Sequence, residues 1–316
     1  MATGSFPSDP SSRKAVLVLQ EHDIEKCAYE PGAAQALLDE EAYVLQFPLR
    51  TQGEIPVALH LDHGNEPATC ISAIDLGFTS VMMDGSLEAD GKTPSSYEYN
   101  VTVTKEVVEY AHARGVTVEG EIGTLGGIED GHGSGEVHLT DPDQAVQFVH
   151  DTGIDALAVA IGTSHGAYKF DREPDGEVLK MDLIQEIHRR LPDTHLVMHG
   201  SSSVPRELVD IINQYGGSLK PSWGVPIKEI QLGIQHGVRK VNVDTDSRLA
   251  ITGAIRKVFV ESPEKFDPRD YLKPARASMQ ELVASKMRDF GQAGHAGDYE
   301  QKTLEEMKAL YAGAPV

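Results

Sequence analysis

Residues 57–64 read Val-Ala-Leu-His-Leu-Asp-His-Gly, an apolar run that carries His60, Asp62 and His63 straight to a glycine. Successive side chains of a strand point to opposite faces, so His60 and Asp62 share one face, and a chain turn at Gly64 lets His63 swing in beside them. Two imidazoles and a carboxylate this close together are costly to bury unless a cation or a reaction uses them. Taken alone, the segment reads equally well as a pair of strand-end histidines exposed at a loop. The two readings separate only when the pattern is followed along the chain.

Short, β-branched apolar runs recur at residues 15–20, 55–61, 79–83, 116–121, 156–161, 196–199 and 238–243, with longer amphipathic stretches between them. Such alternation predicts a parallel sheet with helical crossovers. Helices are expected over 104–114, 142–151, 181–190, 205–215 and 226–236, and Gly115, Gly153, Gly216 and Gly237 stand where helix C-termini favour glycine. Most strand starts lie about 40 residues apart, roughly what one βα unit occupies in a barrel of ~250 residues. No Gly-x-Gly-x-x-Gly turn follows the first run, so a TIM (β/α)8-type barrel is favoured over a doubly wound sheet. Residues 263–316 contain no strand candidate and read as a helical extension, with helices over 274–290 and 304–311. The expected organisation is a disordered tail over 1–13 followed by one barrel domain over 14–316. There are seven strand candidates where a closed barrel has eight.

Composition narrows the function classes. The 316 residues include 28 basic and 49 acidic ones, a net charge of −21, which disfavours general attraction to nucleic acid or an anionic membrane. An anionic substrate would need local help from backbone amides, a metal or single arginines. Cys27 and Cys70 are the only cysteines, too few for a disulfide framework, so a reducing compartment fits and the thiols are expected to be buried or idle. The run at 15–20 is too short for a signal-peptide core, and no run approaches the ~20 apolar residues of a membrane span. A soluble cytoplasmic protein is expected.

Chemistry gathers at the strand ends. His60, Asp62 and His63 close the second candidate, Asp84 the third and Glu121 the fourth; His165 follows the fifth, His199 closes the sixth and Asp244 the seventh. In a barrel these ends converge on the rim that carries active sites. Any one of them alone reads equally as a loop-capping residue. Jointly, His63, His165 and His199 can supply nitrogen ligands to a borderline-soft divalent ion and leave positions open for substrate. The runs His199-Gly-Ser-Ser-Ser and Asn242-Val-Asp-Thr-Asp each enter a helix, the second beginning near Ser247, and offer backbone amides to an anion such as a phosphate. The serine run alone reads equally as a helix cap. Residues 119–135 carry seven glycines, so the loop leaving Glu121 is expected to be mobile, a lid able to bring Glu129 or His132 over the substrate. His112, His150, His188 and His236 fall in helical stretches and are expected to be solvated or packed. Lys240 sits beside Arg239 before its strand's end, and a helix-packing or exposed role is expected over Schiff-base chemistry.

Taken in order, His60-Leu-Asp62-His63-Gly, Gly77-Phe-Thr-Ser-Val-Met-Met-Asp84-Gly-Ser, Glu121-Ile-Gly, Gly162-Thr-Ser-His165-Gly-Ala-Tyr-Lys, His199-Gly-Ser-Ser-Ser and Asn242-Val-Asp244-Thr-Asp246 resemble the class II fructose-bisphosphate aldolases, in the Calvin-cycle-type branch. The resemblance runs from about residue 15 to the C-terminus. It implies a catalytic Zn²⁺ on His63, His165 and His199, with His60, Asp84 and Glu121 near the metal or at a second, mobile divalent position. It implies that Asp62 is the acid/base on the C4 hydroxyl and that Glu129 exchanges the proton on the dihydroxyacetone phosphate carbon. Gly166, Gly200, Ser202, Asn242, Asp244 and Thr245 would form the dihydroxyacetone phosphate site. Arg269 would reach the other phosphate from a neighbouring subunit of a homodimer or homotetramer, and a monovalent cation would assist. Cleavage between C3 and C4 leaves an enediolate, whose charge Zn²⁺ can hold as a Lewis acid, so no lysine is required.

The match is poor over residues 20–52, and the helix and first strand ending in Asn with which the family begins are not visible. The first twelve residues cannot supply a strand, and the lid segment between Glu129 and Thr140 is shorter than usual for the branch. The expectation is therefore a seven-stranded, incompletely closed barrel. Two alternatives to an active fructose-bisphosphate aldolase follow: a catalytically impaired, N-terminally truncated metal-binding relative, and a tagatose-bisphosphate aldolase.

Overall fold

Six of the seven apolar runs are strands: β1 (His60–Gly64), β2 (Ser80–Met83), β3 (Thr117–Ile122), β4 (Ala156–Val159), β5 (His195–Met198) and β6 (Val238–Val241). They form one sheet in sequence order, and every neighbouring pair is parallel. The computed structural model describes residues 58–88, 93–123, 138–164, 168–299 and 302–313. The seventh run, at 15–20, and the tail over 1–13 lie outside the described residues.

The helices of the crossovers are α1 (Pro67–Asp75), α2 (Tyr97–His112), α3 (Pro142–Thr152), α4 (Met181–Arg190), and α5 (Arg206–Gln214) followed by α6 (Ile227–Gln235). After β6 come α7 (Thr245–Glu261), α8 (Pro268–Asp289) and α9 (Leu304–Ala312). The glycine stops hold: Gly115, Gly153, Gly216 and Gly237 all have positive φ. Three boundaries differ from expectation. The turn residues around α1 hid a short helix that starts on Pro67. Helix α2 begins seven residues early, because Ser96 caps it through Tyr99 N and its β-branched residues Val103 and Val107 fall on the buried face. Helix α8 begins at Pro268 on an Asp267 cap and carries Pro274 inside it.

The sheet has two unlike faces. Outward side chains such as Leu61, Val81, Val118, Leu157 and Met198 meet Ile74, Val107, Phe148, Ile184 and Ile230 from the helices in the main core. Each such side chain contributes about 1.5–3 kcal/mol on burial. The inner face holds only a small apolar cluster, Met82, Ala156, Ala158 and Val197, beside the buried His60, Glu119 and Lys240. Edge strands of a flat six-stranded sheet would lie about 24 Å apart. Here Lys240 Nζ of β6 is 3.1 Å from His60 Nε2 of β1, so the sheet is curled into a half-barrel whose two edges face one another across the interior.

Candidate active site

Strand β1 carries the first group of site residues within the strand. His60 and Asp62 point inward, as alternation requires, and Leu61 points into the helix-covered core. His63 joins them through its own backbone, which is left-handed (φ 50), with a register shift between Leu61 and Gly64. The turn expected at Gly64 is therefore made one residue earlier. Left-handed geometry costs a non-glycine residue about 1–3 kcal/mol, and histidine tolerates it better than most. Gly64 serves close packing instead: a Cβ there would stand 2.6 Å from Cys70 Sγ and 2.8 Å from Met82 O.

The inward groups of the half-barrel form two adjoining clusters. In the first, Lys240 is fully buried, its Nζ 2.6 Å from Glu119 Oε2, 3.1 Å from His60 Nε2 and 3.8 Å from Asp62 Oδ1. The expected helix-packing or exposed lysine is thus wrong. Val238 pairs with Leu196 but Lys240 with Val197, so Arg239 is an extra, bulged residue. The bulge lets Val238 and Val241 both face the main core, while Lys240 and Asn242 turn inward. His60 gives its second nitrogen to Ser80 Oγ at 2.8 Å. Burial, and then the Lys240 ammonium, push the His60 imidazole down to about 3, so it stays neutral. Glu119 is ionised: burial opposes this, but Lys240 and the bond from His199 bring the carboxyl down to about 2.

The second cluster lies toward the C-terminal strand ends. His63 Nδ1 is 2.8 Å from Asp84 Oδ2, and the His63 and His199 rings meet edge to face at 4.6 Å between centroids. His199 Nε2 is 2.8 Å from Glu119 Oε1, the carboxylate contact that orients a ligating imidazole. The Asn242 amide nitrogen stands 3.0 Å from His199 Nδ1 and 2.9 Å from Asp62 Oδ2, so it donates to both. Burial works against charge on Asp62, but Lys240, His199 and His63 outweigh it and hold the carboxyl far below its ordinary range. Burial and then the Asp84 charge drive the Glu121 carboxyl well up. Its Oε2 is buried with no hydrogen-bond partner among the described residues. His63 moves up despite its burial, because Asp84, Asp62 and Glu121 surround it.

Among the described residues, three sets of ligand atoms lie within 4.8 Å of one another: Asp62, His63 and His199; His63, Asp84 and Glu121; and His60, Asp62 and Glu119. The last already contains a cation, the Lys240 ammonium. The other two share His63, one of them includes Glu121, and nitrogen with carboxylate donors in that mixture suits a divalent ion.

The two loops expected to receive an anion have defined geometry. Gly200 is left-handed (φ 62), and a Cβ there would meet Ser164 O at 2.5 Å. Val204, at the far end of the serine loop, is left-handed as well, at φ 50, a true strain for a β-branched residue. Asp246 holds that end, accepting from Ser203 N (3.0 Å), Ser203 Oγ (2.9 Å) and Val204 N (2.8 Å). Ser202, Thr245 and Asp244 are buried, with Thr245 opening α7 and Asp244 paired to Arg248 at 2.7 Å. The structure therefore brings together His60, Asp62, His63, Asp84, Glu121, His199 and Asn242, with Gly200, Ser202, Asp244 and Thr245 on the adjoining loops. Arg269 stands apart, 90 % exposed and bound to Asp267. Glu129, His132, His165 and Gly166 lie outside the described residues.

The family model described as "Fructose-bisphosphate aldolase class-II" matches residues 19–295. The chain belongs to the class II fructose-bisphosphate aldolase family. A fructose-bisphosphate aldolase of Nostoc commune is 59% identical over 276 residues, spanning 84% of this chain and 77% of the relative. Fructose-bisphosphate aldolase 2 of Cereibacter sphaeroides is 55% identical over 271 residues, 82% of this chain and 77% of the relative. Among solved structures, a putative fructose-1,6-biphosphate aldolase of Coccidioides immitis aligns with a TM-score of 0.61 at 26% identity, covering 91% of this chain and 94% of the other. The YdjI aldolase of Escherichia coli K12 shares the fold, with a TM-score of 0.63 at 24% identity over 92% of this chain and 86% of the other. Class II aldolases depend on a metal, and the clusters at His63 are this aldolase's candidate place for it.

Sequence reading passed over Glu119 and Ser80 of this aldolase's interior and misplaced Lys240. Glu119 was legible, since it shares a strand face with Glu121. Lys240 was hidden by the bulge, and Ser80 by its ordinary place in an apolar run.

Proposed function

We propose that this chain catalyses reversible cleavage of fructose 1,6-bisphosphate to dihydroxyacetone phosphate and glyceraldehyde 3-phosphate, with zinc as the metal. The observation that carries the proposal is the acid-rich cluster of Asp62, His63, Asp84, Glu121 and His199, which includes no lysine or arginine and in which a buried Glu121 oxygen has no hydrogen-bond partner among the described residues. His63 and His199, with His165, would hold the catalytic ion, and Asp84 and Glu121 would serve a second divalent position or steady the first. A divalent ion there would supply Lewis-acid stabilisation of the charge left when the carbon-carbon bond breaks.

The remaining work falls to side chains. Asp62 is kept ionised by the positive groups around it and fixed by the Asn242 amide, so it is ready to accept the C4 hydroxyl proton. Glu129 would return a proton to the dihydroxyacetone phosphate carbon. Gly166, Gly200, Ser202, Asn242, Asp244 and Thr245 would receive that product's phosphate end, in loops whose amides suit an anion. Arg269 would complete the other phosphate site in a neighbouring copy of a homodimer or homotetramer. Its exposure supports this, as do the exposed Phe259, Val260, Phe266 and Leu272 around the start of α8. A monovalent cation, a cytoplasmic setting and a place in glycolysis or the Calvin cycle belong to the same proposal. Cys70 is buried and its thiol donates to Met82 O at 3.4 Å, in keeping with a reducing compartment. Among the described residues no helix is long and apolar enough to cross a membrane.

A coupled assay of fructose 1,6-bisphosphate cleavage, run with and without chelator and restored by Zn²⁺, tests the proposal. Folded, zinc-loaded protein without chelator-sensitive turnover would be an impaired relative. Tagatose 1,6-bisphosphate in the same assay should give the lower kcat/KM, and the reverse ranking would reassign the substrate.

A further inference from the structure

Helix α8 lies in the C-terminal extension, yet one of its side chains enters the serine loop. Lys286 is buried, with Nζ 2.7 Å from Asp246 Oδ2 and 2.7 Å from Ser203 Oγ. The end of the helix that delivers it is pinned from two sides. Phe290, just beyond α8, is buried in the main core, and Gln231 of α6 donates to Asp289 O at 2.9 Å. Asp246 is the group that holds Ser203 and the strained Val204 in place, and it is itself fully buried on the first turn of α7. The ammonium therefore compensates the one carboxylate that ties the loop after β5 to the helix after β6.

We propose that Lys286 is a positioning residue for the dihydroxyacetone phosphate half of the site. It touches no substrate. By neutralising Asp246 and donating to Ser203, it keeps the Gly200–Ser202 amides and the α7 N-terminus at one fixed separation, so that both can meet the same phosphate. This rests on the phosphate reading of those loops given above. The metal cluster should keep its ion without it, because His63, Asp84 and Glu121 stand on β1–β3 and the segments that follow them, and His199, which leads into the serine loop, is held separately by Glu119 and Asn242.

The test uses the zinc-loaded full chain in the condensation direction, with dihydroxyacetone phosphate and glyceraldehyde 3-phosphate varied separately. Lys286→Met should raise KM for dihydroxyacetone phosphate about tenfold, as expected for losing hydrogen bonds to a charged group, and leave KM for the aldehyde and the zinc stoichiometry unchanged. Lys286→Arg, which keeps the charge and can pair with Asp246, should restore the first KM to within about threefold. A general loss of active protein would lower kcat alone and overturn the proposal, as would a Lys286→Met variant with native KM values. Should Lys286→Met not fold, Ser203→Ala keeps the ion pair and removes only the hydroxyl link. It should raise the same KM about threefold, and no change would equally overturn the proposal. Thr245→Val separates the two readings. If it weakens dihydroxyacetone phosphate binding while Lys286→Met does not, the positioning role fails alone; if Thr245→Val also has no effect, the phosphate reading fails with it.

Discussion

The two charged clusters inside the half-barrel adjoin one another, yet they are balanced in opposite ways. Around Lys240 the protein supplies both signs: the ammonium lies within 4 Å of Glu119, His60 and Asp62, and the neutral His60 and the anionic Glu119 each have defined partners. Around His63 it supplies carboxylates and imidazoles only, and one carboxyl is driven up by burial and by its neighbour's charge. A cluster complete in itself sets geometry, whereas a cluster short of positive charge waits for a ligand. The difference predicts distinct failures when each is cut. His63 belongs to both cation-deficient sets, so His63→Ala should remove the bound metal and reduce fructose 1,6-bisphosphate cleavage by about a thousandfold or more, given the several kcal/mol a Lewis-acid metal contributes. Metal analysis beside the activity assay checks this; native metal content with native turnover would break the distinction.

Lys240→Met attacks the other cluster and should act on stability first. It strands a buried Glu119 and part of the charge on Asp62, a loss of about 3–5 kcal/mol by the usual cost of breaking a buried pair. Denaturant unfolding of the metal-free protein measures it. The double variant Lys240→Met with Glu119→Gln should recover much of the loss, since it removes the orphaned charge. A single variant costing under about 1 kcal/mol would mean that the ammonium does not hold that layer together.

A smaller effect sharpens the cation-deficient side. Glu121→Gln keeps the shape and removes the charge, and should lower metal affinity about 10- to 100-fold. The same site should be pH-dependent in a defined direction. His63 and Glu121 both hold protons more tightly than usual in the metal-free protein: burial and then the Asp84 charge raise Glu121, and for His63 the surrounding carboxylates outweigh a burial that works the other way. An entering divalent ion must displace those protons, so metal affinity rises with pH through the elevated His63 value and falls as pH drops. Calorimetric titration in buffers of different ionisation enthalpy should detect proton release on binding. Binding without release would show that these groups are not ligands.

How much of this was legible follows from the same physics. Parallel strands alternating with helices left a period-2 and period-3.6 record, so six strands and the rim that carries Asp62, Asp84, Glu121 and His199 could be read directly. What could not be read depends on breaks in that period. The turn that brings His63 inward was read at Gly64 and lies one residue earlier, and the bulge at Arg239 shifts the face of Lys240 by one step; nothing local in a histidine or an Arg-Lys pair announces either. Lys286 was illegible for another reason. On its own helix it is one of many charged residues, and only tertiary packing shows that Asp246, 40 positions earlier, is its partner.

The smallest expected effect comes from a third polar cluster, which serves as the control. Asp155 accepts from Val118 N at 2.7 Å, lies 3.0 Å from His112 Nε2 and accepts from Tyr311 OH at 2.9 Å, and the His112 and Tyr311 rings stack at 3.7 Å. Here an acid is satisfied by hydrogen bonds, with no metal and no buried lysine, and Tyr311 ties α9 to the body of the sheet. Burial and then Asp155 push the Tyr311 hydroxyl far above its ordinary range, so it remains a donor at every working pH. Tyr311→Phe deletes one neutral donor and keeps the stack, which should cost about 0.5–1.5 kcal/mol in unfolding free energy. Metal affinity and kcat should not move, because the cluster includes none of the cation-deficient groups. A change in metal affinity on Tyr311→Phe would mean that positive-charge deficiency does not by itself mark the site, and that the C-terminal helix reaches the metal cluster through β3, on which both Val118 and Glu121 stand.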